Sequence, residues 1–161
     1  MKFEELAAIL MSREDQCLGT GADEAEIRLA EEALGIRIHG SYRDFISRFG
    51  WGGVGHVELY GLGKDVPPHL NLVRITKSER TEMRPMLPKY LLPIMNDGAG
   101  NLYCADTMFM RGNEPRVVFW DHDGMEDQEM EVVADDFSEW LKMMIEESTS
   151  RHDFDQRPTK S

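Results

Sequence analysis

The chain is poor in cysteine and has no long apolar run. Its 161 residues contain only Cys17 and Cys104, with no CxxC spacing and no partner histidine cluster, so we interpret both as free thiols in a reducing compartment. No segment approaches the roughly 20 apolar residues that a membrane span requires. Glu4 and Glu5 also stand where a signal peptide needs positive charge. We therefore expect a cytoplasmic protein.

Motifs for enzymatic chemistry are missing as well. The sequence has no G-x-S-x-G turn, no HExxH or DxDxDG spacing, and no phosphate-binding or dinucleotide-binding glycine pattern. One alternative is a small metal-dependent hydrolase, for which the side chains of Asp106, Asp121, His122 and Asp123, mainly oxygen ligands, would have to converge at neighbouring strand ends. Acidic residues near strand ends are common in an acidic protein. We therefore expect no catalytic activity, no metal and no cofactor.

Basic residues are scarce between residues 121 and 147. The formal net charge is −12. Residues 121–147 contain 11 acidic side chains and only Lys142, whereas residues 1–120 contain 14 basic and 17 acidic side chains. An acidic field of this kind repels nucleic acid and anionic membranes and attracts basic proteins. We therefore expect neither nucleic acid nor membrane as a partner. The alternative is a solvated face that keeps the protein in solution.

Three amphipathic helices are predicted in the first 50 residues. The second covers residues 23–35, where Asp23 and Glu26 form a capping box and a glycine ends the helix. The third covers residues 41–50 and starts at a similar capping signature. Residues 11–21 are polar and predict a loop. Apolar residues at helical spacing predict the first helix: Phe3, Leu6, Ala7 and Leu10.

Strands and a closing helix are predicted after residue 51. Val57–Leu59 alternates as a strand does, and residues 91–106 have the pattern of a β-hairpin with a glycine-rich turn. Further strands are predicted at 117–120 and 131–133, and a final helix from about Asp136, with Trp120 and Trp140 buried. Residues 70–90 fit a strand or a helix. Periodicity is lost after Glu147, so residues 1–147 predict one α+β domain and 148–161 a disordered tail.

Six short motifs follow one another in a fixed order between residues 20 and 147. They are EALG at 32–35, SYRDF at 41–45, ELYGL at 58–62, LLPI at 91–94 followed by NDGAGN at 96–101, VVFWDH at 117–122, and FSEWL at 137–141. Together they resemble the SUKH superfamily, the Smi/Knr group. The resemblance implies a single α+β domain with a curved, mostly antiparallel sheet flanked by helices.

The resemblance also implies a function. Most bacterial members look like immunity proteins, each of which neutralises a cognate toxin domain, often a nuclease, of a polymorphic or contact-dependent toxin system. The family is not known for catalysis or a required cofactor. Eukaryotic members suggest an alternative, an intracellular regulatory scaffold. Because the toxin-binding surface varies between members, the resemblance assigns no contact residues.

The charge pattern supplies candidate contact residues. Nuclease domains are generally basic because they meet phosphate backbones. An acidic inhibitor would associate rapidly with such a domain and repel its nucleic-acid substrate. Trp51 and Asp97 are further candidates, although Trp51 could instead cap the core and Asp97 could shape its hairpin turn. The predicted toxin-facing acids are Asp121, Asp123, Glu126, Asp127, Glu129 and Glu131.

Overall fold

Helices surround two antiparallel sheets. A computed structural model describes the backbone of residues 2–155 and the side chains of residues 2–149. In chain order the elements of this range are α1 (Phe3–Ser12), β1 (Gln16–Leu18), α2 (Glu24–Leu34), α3 (Gly40–Arg48), β2 (Gly52–Val54), β3 (Val57–Leu59), a 3-10 helix (Pro68–Leu70), α4 (Leu72–Thr81), β4 (Leu91–Asn96), β5 (Leu102–Arg111), β6 (Glu114–Trp120), β7 (Glu131–Ala134) and α5 (Phe137–Asp155). The predicted α+β class is confirmed.

The strands divide between two sheets. The smaller sheet has the order β1-β2-β3 and the larger the order β4-β5-β6-β7, and every paired strand is antiparallel. The Tyr60 N–H, just after β3, donates to the Ile94 carbonyl oxygen of β4 at 2.8 Å. This bond joins the two sheets and covers the β4 edge. Strand β7 is therefore left as the outer strand on the opposite side of the larger sheet.

The core lies between the sheets and the helices. Trp120 and Trp140 are 2% and 1% exposed, which confirms their predicted burial. The Tyr42 ring packs against the Phe137 ring with centroids 5.1 Å apart. Its hydroxyl donates to the Tyr60 carbonyl oxygen at 2.6 Å, so the one polar atom of this buried ring is satisfied. Within the described residues, no helix has both the length and the apolar character to cross a membrane.

Helix α2 follows its sequence signals closely. The Asp23 carboxylate accepts a hydrogen bond from the Glu26 N–H at 2.8 Å, and Gly35 ends the helix with φ of 65°. Both ends agree with the prediction because each signal involves residues only a few positions apart. A capping side chain must reach an N–H of the first turn, and a left-handed end residue is accommodated best by glycine.

Helix α3 is capped by a residue from far along the chain. It begins at Gly40, so Ser41 lies inside its first turn and is not the cap that the sequence predicts. The Glu114 carboxylate accepts from the Ser41 N–H at 2.7 Å and from the Ser41 hydroxyl at 3.1 Å. A side chain at the start of β6 therefore satisfies donors that helix α3 cannot satisfy itself. Burial raises the pKa of Glu114, although the bonds from Ser41 partly oppose the shift.

This cap predicts a pH dependence of stability. A raised pKa in the folded state means that the folded protein binds the proton more tightly than the unfolded chain does. The resulting stabilisation is present below the ordinary value of 4.5 and is lost as the pH rises through the folded pKa. The Glu114→Gln variant carries no charge; its amide oxygen can still accept from the Ser41 N–H, and its NH2 group can donate to the Ser41 hydroxyl. We expect wild-type stability to fall relative to this variant between pH 4 and 7, measured by urea unfolding.

A second variant separates the charge of Glu114 from its hydrogen bonds. Glu114→Ala removes the cap, and we expect its free energy of unfolding to be about 1 kcal/mol lower than that of Glu114→Gln at every pH. If the free energies of unfolding of the wild type and Glu114→Gln changed in parallel with pH, the Glu114 carboxyl group would have the same pKa in the folded and unfolded states, which would contradict the prediction.

Two segments differ from their sequence predictions, and a third adopts one of the two alternatives that the sequence left open. Residues 16–18 of the predicted loop form β1, because the β2 glycines allow close backbone approach: a Cβ on Gly52 would lie 2.0 Å from the Cys17 carbonyl oxygen. The ambiguous residues 70–90 contain helix α4. Helix α5 continues past Glu147 to Asp155, correcting the predicted disorder there, since Ser148 is buried at 3% exposure. The rest of the predicted tail, residues 156–161, lies outside the described residues.

Candidate protein-binding site

The six predicted toxin-facing acids occupy one continuous stretch at the end of the larger sheet. Five lie on the connection between β6 and β7, residues 121–130, and Glu131 is the first residue of β7. All six side chains are exposed. We call Asp121, Asp123, Glu126, Asp127, Glu129 and Glu131 the acidic surface.

A neutral side chain holds this connection in shape. The Gln128 amide accepts from the Asp121 N–H at 2.9 Å and donates to the carbonyl oxygens of Asp121 and Met125 at 2.9 and 3.0 Å. The Asp121 carboxylate accepts from the Asp123 N–H at 2.9 Å. Because Gln128 supplies most of these bonds, the loop is ordered largely without its carboxylates.

The carboxylates of the acidic surface have few partners within the protein. Among the described residues, the side chains of Asp127, Glu129 and Glu131 form no hydrogen bond or ion pair. Glu126 accepts only a long bond of 3.4 Å from the Met86 N–H, and Asp123 lies 3.5 Å from His122. These charges are available to a binding partner without the loss of a strong internal contact.

Two other acids of the same charged segment have a structural role. The Asp136 carboxylate accepts from the Glu139 N–H at 2.8 Å, and the Glu139 carboxylate accepts from the Asp135 N–H at 3.2 Å. This reciprocal pair caps the N-terminus of α5. The structure thus separates acids that stabilise a helix from acids that face solvent, although all belong to the same charged segment of sequence.

The proposed metal cluster does not assemble as a set of four. Potential ligand atoms of Asp121, His122 and Asp123 lie within 4.8 Å of one another, and all three residues are exposed. Asp106 is elsewhere: it pairs with Arg116 at 3.0 Å and is fully buried. Leu102 of β5 pairs with Trp120, the residue before Asp121. Asp106 lies four residues further along β5, about 13 Å from Leu102. The four residues that the metal-dependent alternative requires therefore do not converge.

Asp97 serves mainly its own turn. Its carboxylate accepts hydrogen bonds from the Ala99 and Asn101 N–H groups at 2.8 and 3.1 Å, and from the Asn101 side-chain amide at 2.8 Å. The Asn101 amide oxygen in turn lies 2.7 Å from the His122 Nδ1 atom. The β4–β5 turn is thereby joined to the start of the acidic surface. These contacts support the structural interpretation of Asp97, and its contact with a partner stays a prediction.

Tyr103 joins the acidic surface to other acids, and the sequence analysis did not identify it. It is half-buried on β5, and its ring packs against Phe119 and Trp140 with centroid distances of 5.6 and 5.4 Å. Burial raises its pKa, and the negative charges of Asp97, Glu147 and Glu131 raise it further. Three carboxylates from separate elements therefore act electrostatically on one phenol group. Strand alternation could have shown which face Tyr103 occupies, but not these neighbours.

Exposed apolar side chains were also missed. Met125 lies within the acidic connection and is 73% exposed. At the far end of β5, Met108 and Phe109 are exposed where the register shifts between Asp106 and Met110. The Arg116 guanidinium lies 3.8 Å from the centre of the Phe109 ring. Methionine and aromatic residues are enriched at protein interfaces, and a methionine inside an acidic run was a signal available in the sequence.

Trp51 lies immediately before β2, at the smaller sheet. It is partly buried against the core, its indole N–H donates to the Asp65 carboxylate at 3.1 Å, and its backbone oxygen accepts from the Gly19 N–H. Among the described residues, no hydrogen bond or ring contact links it to the acidic surface. The structure therefore does not bring Trp51 together with the other candidates.

Comparison with known protein families agrees with the motifs. Residues 3–146 match the SUKH_5 family, described as SMI1-KNR4 cell-wall. The chain therefore belongs to this family. No curated protein matches it significantly.

Proposed function

We propose that this chain is an immunity protein that binds and neutralises a cognate toxin domain, and that this toxin is a basic, nuclease-type domain. Membership of the SUKH_5 family supports the immunity role. The observation that carries the choice of toxin is the acidic surface, whose six carboxylates are all exposed. We further propose that the protein acts by binding alone and catalyses no reaction.

Electrostatics explains how such a surface would work. A cluster of carboxylates attracts a basic domain over a distance of about 8 Å at physiological ionic strength. It presents oxygen atoms to the lysine and arginine side chains that would otherwise contact phosphate groups. Residues 121–131 contain no lysine or arginine, so no permanent positive charge within the segment weakens the attraction. The bound inhibitor would also repel the toxin's nucleic-acid substrate.

The experiment is a binding measurement with the natural partner. The chain is co-expressed with the toxin-like domain encoded beside its gene, and the affinity is measured by calorimetry in 50 and 500 mM salt. We expect a one-to-one complex with a Kd of about 10 nM or lower at low salt. We expect the affinity to fall by at least about tenfold at high salt, because exposed charges are screened.

The other outcomes discriminate between the parts of the proposal. Tight binding whose affinity does not depend on salt would support the immunity role. It would indicate that apolar residues such as Met125 and Phe109, and not the acidic surface, form the contact. Absence of binding would contradict the immunity role. Metal-stimulated turnover of phosphoesters by the purified chain would contradict the proposal that it acts by binding alone.

A further inference from the structure

Strand β7 is an open edge of the larger sheet. It pairs with β6 through Glu131, Val132 and Ala134, and no other strand of residues 2–155 lies on its other side. Within the described residues, no backbone hydrogen bond joins residues 131–134 to anything outside β6. The opposite edge of the sheet is covered by the bond from Tyr60 to Ile94. Edge strands carry unpaired N–H and C=O groups that can accept a further strand.

The side chains around β7 restrict what can pair with it. Glu131 is exposed, Val132 is 45% exposed, and Glu129 and Asp135 flank the strand at its two ends. A second copy of this chain would bring like charges opposite one another, which is unfavourable across paired strands. An extended segment rich in lysine and arginine would instead meet complementary charge. The acids therefore disfavour pairing with a second copy of the chain and favour pairing with a basic strand.

We infer that a basic extended segment of the toxin adds to β7 as a fifth strand of the larger sheet. This inference rests on the proposed function and specifies how the partner is held. The backbone bonds fix the orientation of the toxin, Val132 supplies an apolar contact beside them, and the acidic surface supplies the attraction. Main-chain pairing gives affinity in other complexes formed by strand addition.

Amide hydrogen exchange tests the inference directly. The isotope-labelled chain is compared free and in complex with the toxin-like domain encoded beside its gene. We expect the outward-facing amides of residues 131–134 to exchange at least about tenfold more slowly in the complex, because they become hydrogen-bonded. Amides of helix α2, which lies outside the acidic surface, serve as the internal reference and should change by less than about twofold.

Proline variants provide a second test that acts on the backbone. Adjacent residues of a strand direct their N–H groups to opposite sides, so either Glu131→Pro or Val132→Pro removes an outward donor and leaves the ladder with β6 intact. That variant is recognised by its unchanged melting temperature. We expect it to bind the toxin-like domain at least about tenfold more weakly than alanine at the same position, which removes the side chain but keeps the donor.

The outcomes separate the pairing from the proposed function. If the β7 amides exchanged as fast in the complex as in the free protein, strand addition would be wrong and the immunity role would still be supported. Absence of any complex would overturn both. Concentration-dependent protection of β7 without the toxin would identify a second copy as the occupant and overturn the basic partner.

Discussion

Neutralising four carboxylates of the acidic surface is expected to weaken toxin binding about 100-fold at low salt. This corresponds to about 2.7 kcal/mol of binding free energy. The affinity of the variant should also lose most of its dependence on salt, because the salt-dependent part of binding arises from these charges. The substitutions are Asp123→Asn, Asp127→Asn, Glu129→Gln and Glu131→Gln.

The matched control changes the net charge equally at other exposed positions. We expect it to bind within about threefold of the wild type, since charges beyond the Debye length are largely screened at physiological salt. The control substitutions are Glu4→Gln, Glu5→Gln, Glu14→Gln and Glu32→Gln, all at exposed residues.

Calorimetry at several salt concentrations measures both variants. Their melting temperatures should stay close to the wild-type value, because the exposed carboxylates make few internal contacts and surface substitutions of this kind change stability little. Equal weakening by the two variants would show that overall charge, and not the acidic surface, governs association. Unchanged affinity of the variant that lacks four carboxylates of the acidic surface would show that these acids do not contribute to the interface.

Replacing Gly61 by alanine is expected to destabilise the fold by about 3 kcal/mol or more. A Cβ at this position would lie 1.6 Å from the Gly50 carbonyl oxygen and 3.0 Å from the Trp51 Cα atom. Both are backbone atoms, so no side-chain rotation relieves the overlap. Gly61 also donates to Leu70 and accepts from Leu72, so moving its backbone would break two hydrogen bonds. Overpacking combined with lost bonds accounts for the magnitude.

Gly112→Ala is the control for this substitution. No atom lies within 4 Å of its Cβ position, and its φ is 61°, so only the left-handed conformation opposes the methyl group. We expect a loss of about 1 kcal/mol. Urea unfolding measures both variants. A Gly61→Ala protein within 1 kcal/mol of the wild type would mean that the two backbone segments are not this close in solution.

Local signals in the sequence determined much of the secondary structure. The Asp23 cap and the Gly35 end of α2 depend on contacts within a few residues, and both were predicted. The exposure of the acidic surface was predictable for the same reason, because its six acids lie within residues 121–131, a stretch without lysine or arginine, and unpaired charges remain in solvent. The apolar patterns around Trp120 and Trp140 likewise indicated their burial.

Signals that depend on distant residues were not visible in the sequence. Strand β1 pairs closely with β2 because Gly52 has no side chain to obstruct the backbone of Cys17, and the cap of α3 comes from Glu114, 73 residues after Ser41. The capping signature from Ser41 to Asp44 was wrong because a competing carboxylate arrives from another element.

The sequence by itself determined the family, the α+β class and the identity of the exposed acids. Only the tertiary structure decided which of these residues are neighbours. Strand register separates Asp106 from Asp121 and aligns Glu131 with Tyr103 across the intervening Phe119, and strand order leaves β7 as an open edge. Register and order follow from the packing of side chains that are far apart in the chain. The free energy of such packing belongs to the whole fold, so no local stretch of sequence specifies it.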